Sequence, residues 1–438
     1  MRILFATLPF RAHLYGLVPL AWALRSAGHE VCVAGSPDIT DDIAQIGLSG
    51  VSVGDRISLK ERMAQVPIEW PMKMGRPASA DESPGPCDPR GQRTGKSAQS
   101  DYGWGDPHVE LEDVIAGISS TFFSDATFDE LVDFARVWRP DLVITDISAF
   151  PGAVAAQVVG AAHARLSLAV DRMAQLRAAC RARFDSAGDP VRDWLQPILE
   201  RYGHDFDETT ALGQWTISAT PPWIWQPDGV HYLPMRNVPF NGPSTTPRWV
   251  YEEPARRRVC ISQGISHRDV TLAGGSSSRD LLEAVADLDV EVIATLNADQ
   301  LGSVTLPDNV RAVDFVPFTE LLPKCSAIVH EGGAGSFASA LEHAVPQVIV
   351  PGDFKTEKWW APVTIADGLE GRGAGIYAGN ASTFTADVLR DSLKRVLEDP
   401  SYARNAARLR TEVRAMPSPN DLVPTLERLT AEHRASRR

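Results

Sequence analysis

The chain has 438 residues, 44% of them hydrophobic and 23% charged, a length that predicts two globular domains of about 200 residues each. Its formal net charge of −13 argues against a nucleic-acid binder, and the basic end at Arg434, Arg437 and Arg438 reads as a solvated terminus. Five scattered cysteines (Cys32, Cys87, Cys180, Cys260, Cys325) lack metal-ligand spacing, so no metal site and a reducing compartment are expected.

The first apolar run, Ile3 to Leu8, is too short to cross a membrane, and no cleavable signal pattern follows it, which predicts a cytoplasmic protein with no membrane span. RILFATLP reads as a strand buried on both faces. LYGLVPLAWALRSAGH has helical spacing with Gly28 as its stop, and EVCVAG is the next strand. This βαβ opening predicts a parallel sheet with right-handed crossovers. From about Met72 to Pro107 the chain turns rich in Gly, Pro, Ser and charge, as either a disordered insert or a lid over bound ligand would. Strand PDLVITD (140–146) and a small-residue helix (152–162) resume the pattern. WTISATPPWIW (215–225) carries three tryptophans that suit a core, an interface or an acceptor pocket.

No regular period fits about Asp228 to Pro254, which reads as a linker. A second series follows, with strands at 257–264, 290–296, 310–316, 327–333 and 346–351, and helices at 278–288, 318–325 and 336–344 between them. The expected fold is α/β, with two Rossmann-like doubly wound domains facing across a cleft. They are assigned to residues 1–228 and 255–417, joined by 229–254, with a last helix at 418–434.

The strongest local motif is HEGGAGS, His330 through Ser336, placed where a strand ends and a helix begins. Gly332, Gly333 and Gly335 permit close backbone approach. The helix N-terminus offers N–H groups to an anion, and His330 and Ser336 supply side-chain donors. The same glycines also suit a turn that only allows tight strand–helix packing. No GxGxxG follows the first strand and no GxxxxGK[ST] occurs, which removes the nicotinamide-type Rossmann and P-loop readings. His13 lies in LPFRAHLYG after the first strand, and Asp146 ends a parallel strand. Together they suit a base and the carboxylate that fixes its tautomer. Separately, they suit a surface histidine and a helix-capping aspartate.

These features together resemble the two-domain GT-B nucleotide-sugar glycosyltransferases. More narrowly, the chain resembles actinobacterial antibiotic glycosyltransferases that use TDP-deoxysugars. RRRVCISQGIS (256–266), LPDNVRAVDFVPFTELLPKC (306–325), VHEGGAGS (329–336) and VPQVIVP (345–351) carry the likeness. WRPDLVITD and GQWTIS point to the macrolide desosaminyl- and mycaminosyltransferase branch. The resemblance implies an inverting transfer from a TDP-sugar to a small hydrophobic, macrolide-like acceptor, without a cofactor. It assigns His13 as general base and Asp146 as its orienting carboxylate. It puts His330, Gly332, Gly333, Ala334, Gly335 and Ser336 at the diphosphate, Gly264 and Ser266 at a second phosphate loop, and the Val316 backbone at the pyrimidine. It also implies acceptor binding near the 72–107 insert and a helix at 165–185, a haem-independent P450-like helper, and a homodimer as one possible assembly.

One departure stands out. The family's acidic sugar-binding position after VIVP is Lys355 here, within GDFKTEKWW, with Asp353 and Thr356 beside it. Lysine cannot accept a hydrogen bond while charged, so an atypical donor sugar, or Asp353 reaching in, is expected. Two other readings on this fold are a nucleotide-sugar 2-epimerase and a non-catalytic nucleotide-binding or helper relative. The tryptophans and insert argue against the first. The joint presence of His13, Asp146 and His330 argues against the second.

Overall fold

The computed structural model describes residues 1–58, 106–168, 170–269, 278–350, 362–379 and 384–436. The 72–107 insert, apart from its last two residues, therefore lies outside the described residues. The strands among them form two wholly parallel sheets. The first comprises β1 (Arg2–Ala6), β2 (Glu30–Gly35), β3 (Ser49–Ser52), β4 (Leu142–Asp146), β5 (Ala162–Ser167), β6 (Trp215–Ser218) and β7 (Tyr232–Pro234), in the order β3-β2-β1-β4-β5-β6-β7. The second comprises β8 (Arg258–Ser262), β9 (Glu291–Thr295), β10 (Val310–Ala312), β11 (Ala327–His330), β12 (Gln347–Ile349) and β13 (Gly375–Tyr377), in the order β10-β9-β8-β11-β12-β13. The central strands are short continuous apolar runs, as helices on both faces require: Ile3, Leu4, Val143, Cys260, Ile261, Ile328 and Val329 are all fully buried.

This strand order fixes where ligands can bind. Each sheet reverses direction of growth beside its first strand, between β1 and β4 and between β8 and β11. Loops leave such a switch point to opposite faces and open a crevice at the carboxyl ends of the strands. Residues after β1 and at the end of β4 share one crevice, and residues after β8 and at the end of β11 share the other. Thr145 pairs with Ala6, and His330 pairs with Ser262.

The helices that position these crevices are α1 (Arg11–Ser26), α2 (Phe150–Val159), α3 (Arg172–Cys180), α4 (Gly264–Asp269), α5 (Ala334–Glu342), α6 (Pro362–Gly371) and α7 (Pro419–Ser436). α4, directly after β8, packs on α1, directly after β1, and Ile265 of α4 rests against the first domain's core. The carboxyl ends of the two sheets are thereby turned toward each other. A second seam lies at Trp223 and Ile224, which join Val170 in a cluster with Phe337 and Leu341 of α5 and Ile365 and Leu369 of α6. The Trp223 and Phe337 rings meet edge-on at 5.9 Å. The tryptophans thus divide: Trp215 is core of the first domain, whereas Trp223 is a wedge between domains. α7 returns to the first domain, placing Leu422, Val423 and Leu426 in one cluster with Leu14, Leu17 and Val18 of α1, while Arg434 pairs with Asp141.

Several elements differ from the sequence reading. The stretch read as a helix at 165–185 begins as strand β5, and its helix is Arg172–Cys180, capped by the Asp171 side chain on the Ala174 N–H. The segment 229–254, read as a linker without structure, contributes edge strand β7. The strand read over 310–316 spans Val310–Ala312 only, and Pro317 N-caps the next short helix at Phe318–Leu321.

Candidate active site

His13 was expected in a loop but lies in the first turn of α1. Phe10 is extended (φ −121°, ψ 130°) and caps the helix, which starts at Arg11. The His13 Nδ1 is 2.6 Å from Oδ2 of Asp146, and the two side chains are 12% and 8% exposed. The other Asp146 oxygen, Oδ1, accepts the Ser148 N–H at 3.0 Å. The carboxylate is therefore held at both ends, by the strand-to-helix turn it caps and by the imidazole. A carboxylate accepts, so the His13 Nδ1 donates, which leaves the basic lone pair on Nε2. Phe10 lies 5.4 Å from the imidazole, ring centre to ring centre, and touches Phe122 edge-on at 5.5 Å.

Two small hollows flank this pair. The first, about 10 Å³, is lined by His13, Thr145, Asp146, Leu166 and Leu168 among others. The second, about 20 Å³, is bounded by Val53, Ile57, Phe122, Phe123 and Pro151 and shares Ala6 and Thr7 with the first. Gly16 sets the shape of the first: a Cβ there would come within 2.2 Å of the Leu168 Cδ1. Leu168 therefore lies across α1 one turn from His13. The sequence reading missed Leu168, although a glycine inside an otherwise apolar helix was a signal of close approach.

In the second crevice, the loop after β11 is built around a left-handed residue. Gly332 has φ +75°, and a Cβ on it would meet Pro362 at 2.4 Å, so only glycine fits. Gly333 then caps α5 without any side-chain cap bond, leaving the first-turn N–H groups of Ala334, Gly335 and Ser336 at an open helix end. Among the described residues, nothing lies within 4 Å of a Cβ built on Gly333 or Gly335. Neither packing by these residues nor a positive φ demands glycine at those two positions. Ser336 is buried in that first turn. On the neighbouring strand, Gly264 (φ +77°) starts α4, its N–H bonded to the Ser262 Oγ at 3.1 Å, and Ser266 follows half-exposed. Val316 is buried in one cluster with Leu321, Leu322 and Cys260. Asp353, Lys355 and Thr356 lie outside the described residues.

His330 departs from the expected direct donation. It is fully buried: Nδ1 accepts the Gly332 N–H at 3.0 Å, and Nε2 is 2.8 Å from the Gln347 Oε1. Accepting at Nδ1 puts the ring proton on Nε2, and that proton points at Gln347 rather than at the crevice. Burial pushes the His330 pKa down to about 4, so the ring is neutral at physiological pH. Gln347 was not singled out in the sequence, yet a glutamine inside the apolar strand PQVIVP must find a partner. Among the described residues no group of three or more His, Cys, Asp or Glu side chains could hold a metal ion, and no helix is long and apolar enough to cross a membrane.

The comparisons with known proteins agree with this architecture. The family model described as "Erythromycin biosynthesis protein CIII-like" matches in both parts, its N-terminal domain over 22–74 and 93–264 and its C-terminal domain over 279–429. The chain is 43% identical to the aclacinomycin-T 2-deoxy-L-fucose transferase of Streptomyces galilaeus, covering 100% of this chain and 98% of that one. It is 43% identical to the 10-deoxymethynolide desosaminyltransferase of Streptomyces venezuelae, over 99% and 98%. The solved glycosyltransferase VinC, in complex with DTDP, superposes with a TM-score of 0.81 at 34% identity, covering 99% of this chain and 100% of VinC. The two-domain parallel-sheet architecture is thus shared with full-length sugar transferases. The chain belongs to the erythromycin biosynthesis protein CIII-like family and is a nucleotide-sugar glycosyltransferase of the GT-B fold.

Proposed function

We propose that the protein transfers a deoxysugar from a TDP donor to a hydroxyl of a polyketide-derived aglycone with inversion at the anomeric carbon, using His13 as general base. The 2.6 Å bond between the His13 Nδ1 and Asp146 carries this reading, because it fixes the tautomer a base requires. The donor class is supported by relatives named for deoxysugar transfer and by the DTDP complex of VinC.

In this mechanism the acceptor hydroxyl oxygen attacks the anomeric carbon from the face opposite the diphosphate. Its proton passes to the His13 Nε2, and Asp146 stabilises the imidazolium that forms. The bond between the anomeric carbon and the diphosphate oxygen breaks with its electron pair on that oxygen. The resulting charge develops against the N–H groups at Gly333–Ser336 and the loop at Gly264–Ser266. The Val316 backbone faces the pyrimidine, and the aglycone rests on the apolar floor around Leu168, Phe122 and Phe123. Asp353, Lys355 and Thr356 are assigned to the sugar on sequence grounds alone, with the lysine favouring a donor without a cationic amino group.

Calorimetric titration with TDP, UDP and NAD tests the donor side, with TDP expected to bind best. On the chemical side, His13→Ala should lower kcat by about 10²–10⁴ while TDP affinity stays near wild type. Loss of TDP affinity in that variant would make His13 structural. Retention of the donor's anomeric configuration in the product, read from proton coupling constants, would exclude the inverting route.

A further inference from the structure

We infer that His330 and Gln347 are positioning residues that hold the donor loop in its binding shape from beneath, with the His330 imidazole acting on the Gly332 N–H rather than on the diphosphate. The inference rests on the donor site proposed above and assigns it a support that the sequence motif alone does not reveal. The Gln347 Oε1 accepts from the His330 Nε2 at 2.8 Å, and the His330 Nδ1 accepts from the Gly332 N–H at 3.0 Å. Both side chains are 1% exposed. This chain crosses from β12 through the last residue of β11 to the one residue of the loop held at φ +75°. The next residue, Gly333, caps α5, so the aim of the open helix end follows from the turn at Gly332.

The amide oxygen of Gln347 has a defined task. The imidazole accepts the Gly332 N–H only if its proton sits on Nε2, and an acceptor beside Nε2 enforces that tautomer. It is the counterpart of Asp146 at the other switch point, where an acceptor beside Nδ1 enforces the opposite tautomer on His13. One histidine is thereby set to accept a proton from outside, and the other to shape a turn.

The test compares His330→Asn, His330→Ala and Gln347→Met by titration with TDP, alongside donor KM and kcat. An asparagine carbonyl oxygen can accept the N–H two residues on, as in an Asx turn, but it cannot reach where Nε2 lies. His330→Asn is therefore expected to keep TDP affinity within a few-fold. His330→Ala should lose about tenfold, the worth of one lost hydrogen bond at the turn, with donor KM rising more than kcat falls. Gln347→Met, of similar volume and too buried to touch donor, should weaken TDP several-fold. If asparagine and alanine weaken TDP equally, or if Gln347→Met leaves it unchanged or tighter, the imidazole is a direct ligand and the inference is wrong. Should His330→Asn not fold, the Gln347→Met titration decides alone. Failure of the wild-type protein to bind TDP would instead overturn the underlying donor assignment.

Discussion

Asp146→Asn is the most informative single change at the proposed base. Asparagine has nearly the same shape as aspartate, yet it offers one acceptor and one donor where aspartate offers two acceptors. In the structure both carboxylate oxygens accept: Oδ1 from the Ser148 N–H at 3.0 Å and Oδ2 from the His13 Nδ1 at 2.6 Å. The Ser148 N–H cannot turn away from its partner, so the asparagine oxygen is drawn to that side and its NH₂ faces the imidazole. The His13 Nδ1 must then accept, its proton moves to Nε2, and the nitrogen that should take the acceptor proton already carries one. The expected loss in single-turnover rate is about 10²–10⁴, equivalent to about 3–5 kcal/mol of barrier, with TDP affinity unchanged. Asp146→Ala removes the anchor without imposing the wrong tautomer. Asparagine should therefore be at least as damaging as alanine despite its closer shape. Rates measured under saturating donor decide it: an asparagine variant within tenfold of wild type, or much faster than alanine, would refute the tautomer argument.

Further predictions concern the frame around the site. Trp223→Ala empties a fully buried position between domains and should cost about 3–5 kcal/mol; calorimetry should show one unfolding transition splitting or falling by about 6 °C or more, and an unmoved transition would mean that the seam does not couple the domains. Gly335→Ala meets no described atom within 4 Å and adds about 0.5–1 kcal/mol of helix stability, so the protein should melt slightly higher while binding TDP more weakly; unchanged binding would remove ligand approach as the reason for the glycine. His163, buried between Thr145 and the Thr209 carbonyl, and His330 both have pKa values pushed down to about 4 by burial. Above the unfolded value near 6.5 neither state takes the proton and stability is intact; as pH falls from 6.5 toward 4 only the unfolded chain is protonated, and up to about 3 kcal/mol per histidine is lost. Urea unfolding between pH 7 and 4.5 measures this, and a flat profile, or one that rises toward acid, would contradict the burial of both rings.

The primary sequence determined what depends on short-range pattern. Short apolar runs alternating with helical periods are enough to specify parallel sheets, and the strands around Ile3, Val143, Cys260 and Val329 lie where those runs are. The glycines at 332, 333 and 335 marked the turn between a strand and a helix, Asp146 ended a run that a parallel sheet must bring to its carboxyl edge, and His13 followed such a run by a few residues. Only the tertiary structure decided how those residues meet. The pairing of β1 with β4 joins residues 133 positions apart into one hydrogen bond, and no local propensity encodes that separation. Weak or polar strands escaped the pattern for the same reason. AHARLS in β5 overlaps the stretch read as a helix at 165–185, yet it is a strand buried throughout, because Arg165 finds Asp171 and Thr216 and His163 finds Thr145. His330 is the plainest case. Its residue type and place beside a glycine-rich turn suggest an anion ligand, and the direction of its ring is set by Gln347, seventeen residues away on the next strand. A side chain's chemistry is local, but which of its atoms face solvent, ligand or core is settled by the elements that pack on it.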